Sequence, residues 1–138
     1  MNKFFLLLLI CFAQVTFSQT NKESEQTTTN SVSDNNEIYN IAGIDVKPEF
    51  PGGIIQFNTF LSKNFINPAE KPTLKGTIYF TFIIEKDGSI SDIKIIRDLG
   101  FKTGDEAIRV LKSAPKWTPG KHQNKVIRTL NTGKISIN

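Results

Sequence analysis

The stretch Ala114-Pro115-Lys116-Trp117-Thr118-Pro119-Gly120-Lys121 decides the fold of this 138-residue chain. It places the only tryptophan between two prolines and a glycine, residues that end a helical pattern and redirect the backbone. We expect Trp117 to close one end of a two-layer core, where its large apolar ring is shielded from water. After it, Pro119-Gly120 should lead the chain into a last strand from Lys125 to about Ile137.

A helix is predicted upstream, after the turn Pro48-Glu49-Phe50-Pro51-Gly52-Gly53. Its prolines fix φ and its glycines loosen the backbone just before an apolar period of three and four residues begins. That period predicts a helix from about Gly53 to Asn64. Its apolar face consists of Ile54, Phe57, Leu61 and Phe65.

A β-hairpin follows from Gly76 onward, where apolar and polar residues alternate as in a half-buried strand. The apolar set is Ile78, Phe80, Phe82 and Ile84. Asp87-Gly88 then forms a pair that adopts the positive φ angles of a tight turn. Residues 90–97 return as the next strand, with Ile93 and Ile95 alternating with Asp92 and Lys94.

A second helix is predicted from about Gly104 to Ser113. Thr103 and Glu106 have the spacing of a capping box, in which each side chain bonds an unpaired backbone N–H. In the strand that follows, neither parity is cleanly apolar, and Asn131-Thr132-Gly133 indicates a bulge or bend. The order of elements predicts an α+β fold with an antiparallel sheet of about three strands and two helices on one face.

The N-terminus has the layout of a secretory signal peptide, with Lys3 before an apolar run, FFLLLLICFA, and small residues near Ser18. The run is shorter than the roughly 20 residues that span a bilayer, so we expect cleavage after Ser18 and a periplasmic protein. An uncleaved inner-membrane anchor is the alternative, and it would give the only membrane contact. A lipoprotein acylated at Cys11 is disfavoured because no small residue precedes it in the way a lipobox requires.

The remainder divides into a polar leader and one domain. Residues 19–37 are rich in Thr, Asn, Ser and Glu, cannot form a core and are predicted to be disordered. Residues 38–138 are enough for one domain. Charge is uneven, because residues 101–138 carry a net charge of +6 and the leader one of −3. A basic surface of this kind attracts acidic peptides or anionic lipids, although a solvated surface without a partner is the simpler interpretation.

Taken together and in order, these motifs resemble the C-terminal domain of the energy transducer TonB. The resemblance covers roughly Val46 to Ile137, and the Pro-Lys-Trp-x-Pro-Gly-Lys segment is its most specific part. The residues that carry its structural motifs are Pro51, Gly52, Gly53, Asp87, Gly88, Pro115, Trp117, Pro119 and Gly120. The membrane helix and long proline-rich spacer of a full TonB are not matched here.

The resemblance implies binding through the sheet edge, by pairing the last strand with an extended peptide such as the TonB box of an outer-membrane receptor. An envelope-interaction domain with the same fold and a different partner is the alternative. Weak self-association through the edge is also left open, and so is a plain or internal strand without a partner. The expected contact residues are Val126, Ile127, Arg128, Thr129, Leu130, Asn131, Thr132, Lys134 and Ile135.

Other classes of function are disfavoured by the residues available. His122 is the only histidine and is expected in a surface turn, so neither a catalytic triad nor a pair of metal ligands can be assembled around it. A cation site could be assembled from Asp87, Asp92, Asp98, Asp105 and Glu106. However, Asp87 is accounted for by a turn, and Asp105 and Glu106 by a helix start, where carboxylates are stabilised by the helix dipole. We therefore expect no enzymatic activity, metal or cofactor. Tyr79, Phe80 and Phe82, on a strand beside basic residues, suggest a nucleic-acid platform, but export and the missing RNP pattern argue against one.

Overall fold

A computed structural model describes residues 36–138 of the chain. The predicted signal peptide, residues 1–18, and leader residues 19–35 lie outside the described residues. In chain order the elements are β1 (Ile38–Asn40), a 3-10 turn (Ile41–Gly43), α1 (Gly53–Asn64), β2 (Gly76–Ile84), β3 (Ile90–Arg97), α2 (Thr103–Lys112), β4 (Lys121–His122), β5 (Lys125–Val126) and β6 (Arg128–Ile137).

The α+β class is confirmed, with one strand more than expected in the main sheet. That sheet has the order β1-β6-β2-β3, and β4 and β5 form a separate small hairpin. Strands β2, β3 and β6 are antiparallel neighbours, whereas β1 pairs in parallel with the start of β6. Periodicity does not reveal β1, because it is only three residues long and pairs with residues about ninety positions away.

The core lies between the helices and one face of the sheet. From the helices it takes Phe57, Leu61, Ala107, Val110 and Leu111, and from the sheet Ile78, Phe80, Phe82, Ile84, Ile135 and Ile137. Helix α1 has the predicted bounds, but Ile54 was wrongly assigned to its buried face and is 64% exposed. Phe50 packs against Phe57 and Phe60 instead, with ring centroids 5.2 and 5.7 Å away.

The predicted capping box of α2 is wrong. Three successive left-handed residues, Gly100 to Lys102, turn the chain so that the Thr103 hydroxyl faces the preceding loop. There it donates to the Gly100 carbonyl at 2.7 Å and accepts the Leu99 N–H at 3.1 Å. The Glu106 carboxylate accepts the backbone N–H of Ile66 at 2.9 Å. These bonds tie the start of α2 to two loops.

The two turn predictions for the strands also need correction. At the hairpin only Gly88 has positive φ, at +83°, because a three-residue turn closes between Glu85 and Ser89, with the Gly88 N–H bonded to the Glu85 carbonyl. Strand β6 pairs with β2 without any register shift, so the bulge expected at residues 131–133 is absent. The irregularities lie in the β2–β3 pair, where Asp92 has a φ of +44°.

Candidate functional site: the free edge of the sheet

The sequence motifs that were separate along the chain meet at one corner of the molecule, around Trp117. Its ring is 8% exposed and packs edge-on against Phe57 and Phe50, with ring centroids 4.8 and 5.4 Å away. The backbone of Trp117 donates to the Gly88 carbonyl at 2.8 Å, and Thr118 and Glu49 exchange two backbone hydrogen bonds. The predicted core closure by Trp117 is therefore seen in the structure.

The remaining structural-motif residues shape the chain around this corner. Gly52 and Gly53 have φ of +83° and +84° at the entry to α1, next to the exposed Pro51. A Cβ on Gly88 would lie 2.0 Å from the Trp117 carbonyl oxygen, so only glycine allows the hairpin to dock there. Asp87 accepts the Ser89 N–H at 2.9 Å. Pro115 is exposed, Pro119 is half-buried, and Gly120 is buried beside Thr129.

Strand β6 has one fully paired side and one partly paired side. Toward β2 it is paired from Thr129 to Ile137. Toward the other side, β1 covers only the first three residues, Arg128 to Leu130. Within residues 36–138 no strand pairs with Asn131–Ile137 on that side. We call these seven residues the free edge; their backbone donors and acceptors can pair with another extended chain.

The first five predicted contact residues lie outside the free edge. Three of them, Arg128, Thr129 and Leu130, are paired with β1. Val126 belongs to β5 and pairs with Lys121 of β4. Ile127 is buried and donates its N–H to the Gly120 carbonyl at 3.0 Å. Gln123 and Asn124 both have positive φ and close the β4–β5 hairpin, where the sequence predicts only a surface turn around His122. The structure thus brings together residues 128–137, with 126–127 paired elsewhere.

Side chains alternate along β6 between the core and the open face of the sheet. Thr129, Asn131 and Ile135 are buried, and the buried Asn131 amide donates to the Thr129 carbonyl and hydroxyl at 3.0 Å. On the open face Leu130, Thr132, Lys134 and Ser136 are exposed. The alternation that the sequence left ambiguous is therefore regular, since the inward positions include polar residues that bond locally.

Gly133 lies at an inward-facing position of this alternation, and packing explains why the residue there has no side chain. It faces Phe80 directly across the β2–β6 pair, and a Cβ at this position would lie 2.5 Å from the buried Phe80 ring. The glycine leaves room for the ring, and the register between β6 and β2 is unbroken at this position.

A groove runs between α1 and the free edge. One part encloses about 250 Å³ and is lined by Asn58, Leu61, Ser62, Lys134, Ile135, Ser136 and Asn138. A second part of about 400 Å³ lies nearer the end of β6 and is lined by Ser62, Phe65, Asn67, Ile135, Ser136, Ile137 and Asn138. An extended peptide paired with the free edge would place every second side chain toward this groove.

The two cations of β6 differ in availability. The Arg128 guanidinium makes two hydrogen bonds to the Glu85 carboxylate, at 2.7 and 2.9 Å. These bonds lower the pKa of Glu85, against its partial burial, and raise the pKa of Arg128. Arg128 also donates to the carbonyl and side-chain oxygens of Asn36, both at 2.9 Å. By contrast, Lys134 makes no salt bridge to any carboxylate within residues 36–138.

Other candidate groups lie away from the free edge. The His122 ring packs against Tyr39 at 5.6 Å, and its Nδ1 lies 3.4 Å from the Asp45 carboxylate. In the described part of the chain no group of three or more histidine, cysteine, aspartate or glutamate side chains could hold a metal ion. A cavity of about 470 Å³ beside the start of α2 exposes Ile66 and Phe101. Sequence reasoning missed it because two loops and the first turns of α2, far apart in the sequence, form it together.

Two helices pack over one face of a mostly antiparallel sheet whose final strand is only partly paired on its outer side, and this arrangement defines a small α+β domain. The family model for the Gram-negative bacterial TonB protein C-terminal matches residues 64–137, more than half of the chain. The chain belongs to this family, as the motifs around Trp117 and Gly88 indicated. No curated protein sequence matches it significantly.

Membership places the chain among TonB-like domains, which are periplasmic in Gram-negative bacteria and take part in interactions of the cell envelope. The family is one of non-enzymatic energy transducers and binding domains. Among residues 36–138, no helix has the length and apolar character needed to cross a membrane.

Proposed function

We propose that this chain is an exported periplasmic binding module that pairs the free edge of β6 with an extended peptide, such as the TonB box of an outer-membrane receptor. The observation that carries the proposal is the seven-residue free edge, Asn131–Ile137, which lies beside a groove and whose other side is fully paired with β2. Main-chain hydrogen bonds along such an edge supply affinity, and alternate side chains supply specificity.

The charge at the free edge favours an acidic or polar peptide. Lys134 is exposed on the open face, and within the described residues its charge is not neutralised by a salt bridge. A peptide carboxylate next to it would form a charge-assisted hydrogen bond at the rim of the interface. Arg128 is held by Glu85 and is not available in the same way. The module acts by binding alone, without catalysis and without a cofactor.

The proposal is tested by titrating the full chain with TonB-box peptides while following backbone amide shifts. We expect shifts along Asn131–Ile137 and in Leu61 and Ser62 of α1. Unchanged amides along the free edge would refute receptor binding and favour the alternative, an envelope domain with another partner. Dilution of the free protein shows whether the same edge pairs with a second copy, since those shifts would then depend on protein concentration.

A charge-reversal pair tests the role of Lys134. Lys134→Glu should weaken binding of an acidic TonB-box peptide by about fivefold, which corresponds to about 1 kcal/mol for an exposed pair. The matched control is Lys112→Glu, which makes the same change of charge on an exposed residue of α2. Equal weakening by both variants would mean that only the net charge matters, and not the free edge.

A further inference from the structure

Strand β1 occupies the same edge of β6 that the proposed function assigns to a partner. Ile38, Tyr39 and Asn40 lie opposite Arg128, Thr129 and Leu130, in parallel. The chain then leaves the sheet through the 3-10 turn Ile41–Gly43, in which the Asn40 side chain accepts the Ala42 N–H at 3.0 Å. The edge of β6 is therefore ten residues long, and its first three residues are covered from within the chain.

The contacts that hold β1 in place are few. None of its side chains is buried; Ile38 is 43% exposed and Asn40 is exposed. Tyr39 is half-buried against the His122 ring, and Arg128 bonds Asn36 just before the strand. Short strands with few buried apolar contacts are the elements that open first in a folded protein. Parallel pairs are also slightly less stable per residue than antiparallel pairs.

The packing of β6 on the core and its pairing with β2 do not involve β1. The buried face of β6 packs through Ile135 and Ile137 against the core, and the β2–β6 pairing runs over nine residues. Arg128 keeps its two bonds to Glu85 if Asn36 is released. The first part of the edge can thus be uncovered without loss of the sheet.

We propose that β1 is a built-in competitor for the partner peptide, which pairs with all of Arg128–Ile137 by displacing Ile38–Asn40. This inference rests on the proposed function and adds its regulation. The apparent affinity for the peptide is the intrinsic affinity reduced by the fraction of molecules in which β1 is detached. Anything that pulls or binds residues 36–40 strengthens peptide binding in the same proportion.

A disulfide that locks β1 tests the inference. Asn40 and Leu130 are exposed register partners, and adjacent strands lie about 4.8 Å apart, within disulfide range. Asn40→Cys/Leu130→Cys is made in the full chain with Cys11→Ser, because Cys11 is the only native cysteine. We expect the oxidised form to bind a labelled TonB-box peptide about tenfold more weakly than its own reduced form.

A second disulfide controls for rigidity of the sheet, and a second variant tests the opposite direction. Thr81→Cys/Lys94→Cys joins β2 to β3 at register partners away from β1, and oxidation there should leave affinity unchanged. Tyr39→Ala removes the ring contact with His122 and should strengthen binding severalfold. Hydrogen exchange at residues 38–40 should increase when the peptide is added.

The outcomes separate this inference from the proposed function. Binding that is equal in the oxidised and reduced lock, or tighter in the oxidised lock, overturns displacement of β1 and leaves peptide binding by the free edge intact. No binding by any variant in either redox state refutes the proposed function, and with it the inference that depends on it.

Discussion

Replacing Trp117 with alanine should destabilise the domain by about 3 kcal/mol. Large-to-small changes of a buried tryptophan cost about 3–5 kcal/mol, and three aromatic rings, those of Phe50, Phe57 and Phe82, lie within 5.7 Å of the Trp117 ring centroid. The indole N–H is buried without an acceptor among the described residues, which costs about 1–3 kcal/mol. Trp117→Ala also removes this unpaired N–H, which offsets part of the lost stability. We therefore expect a destabilisation at the lower end of the range of about 3–5 kcal/mol.

The two contributions can be separated by urea unfolding followed by far-UV circular dichroism. With a slope of about 1–3 kcal/mol per molar urea, Trp117→Ala should lower the midpoint by about 1.5 M. Trp117→Phe keeps an aromatic ring and removes the unpaired N–H, so it should cost less than about 1.5 kcal/mol. The surface control Ile54→Ala should stay within about 0.5 kcal/mol. A loss below about 1 kcal/mol for Trp117→Ala would refute the assignment of Trp117 as the closure of the core.

Three further predictions concern residues that the same unfolding assay can test. Gly88→Ala should cost more than about 2 kcal/mol, because it adds a Cβ at positive φ that meets the Trp117 carbonyl at 2.0 Å; a neutral result would mean that the hairpin does not dock there. Thr103→Val should cost about 1–3 kcal/mol, because it leaves the Leu99 N–H unpaired and removes the hydroxyl bond to the Gly100 carbonyl, which keeps only the Thr103 backbone N–H; no loss would contradict the assignment of these bonds. The pKa of Glu85 is depressed by its hydrogen bonds to Arg128, so the pair stabilises the fold above the ordinary glutamate pKa of about 4.3 and loses this effect as pH falls through the depressed value. Arg128→Met should reduce this fall in stability at acid pH, and an unchanged pH dependence would contradict a stabilising role for the Glu85–Arg128 pair.

Local sequence patterns predicted the long elements. The bounds of α1 follow from its apolar period after Gly52-Gly53, and the β2–β3 hairpin follows from the alternation around Asp87-Gly88. Each of these signals depends on residues within a few positions of one another. The contact of Gly88 with Trp117 was not predicted, since it joins residues that are far apart in the sequence.

The failed predictions depend instead on how each segment packs and forms hydrogen bonds in the folded domain. Ile54 has the right period for a buried position, but Phe50 takes the space over the core. Thr103 and Glu106 have the right spacing for a capping box, but the left-handed turn before them and the loop at Ile66 take their hydrogen bonds. Gly133 suggested a bulge and instead makes room for Phe80 on the neighbouring strand.

The same distinction explains why the site was predicted only in part. A sequence shows that the last strand is long and carries charges, but whether it is an edge depends on what pairs with it. Here β5 and β6 divide the stretch that looked like one strand, and β1 returns from the start of the domain to cover Arg128–Leu130. The turn at Ile41–Gly43 ends that cover, because the chain leaves the sheet there. The length of the free edge is therefore set by where the N-terminal segment turns away, and a substitution in β1 should alter peptide binding without touching a residue of β6.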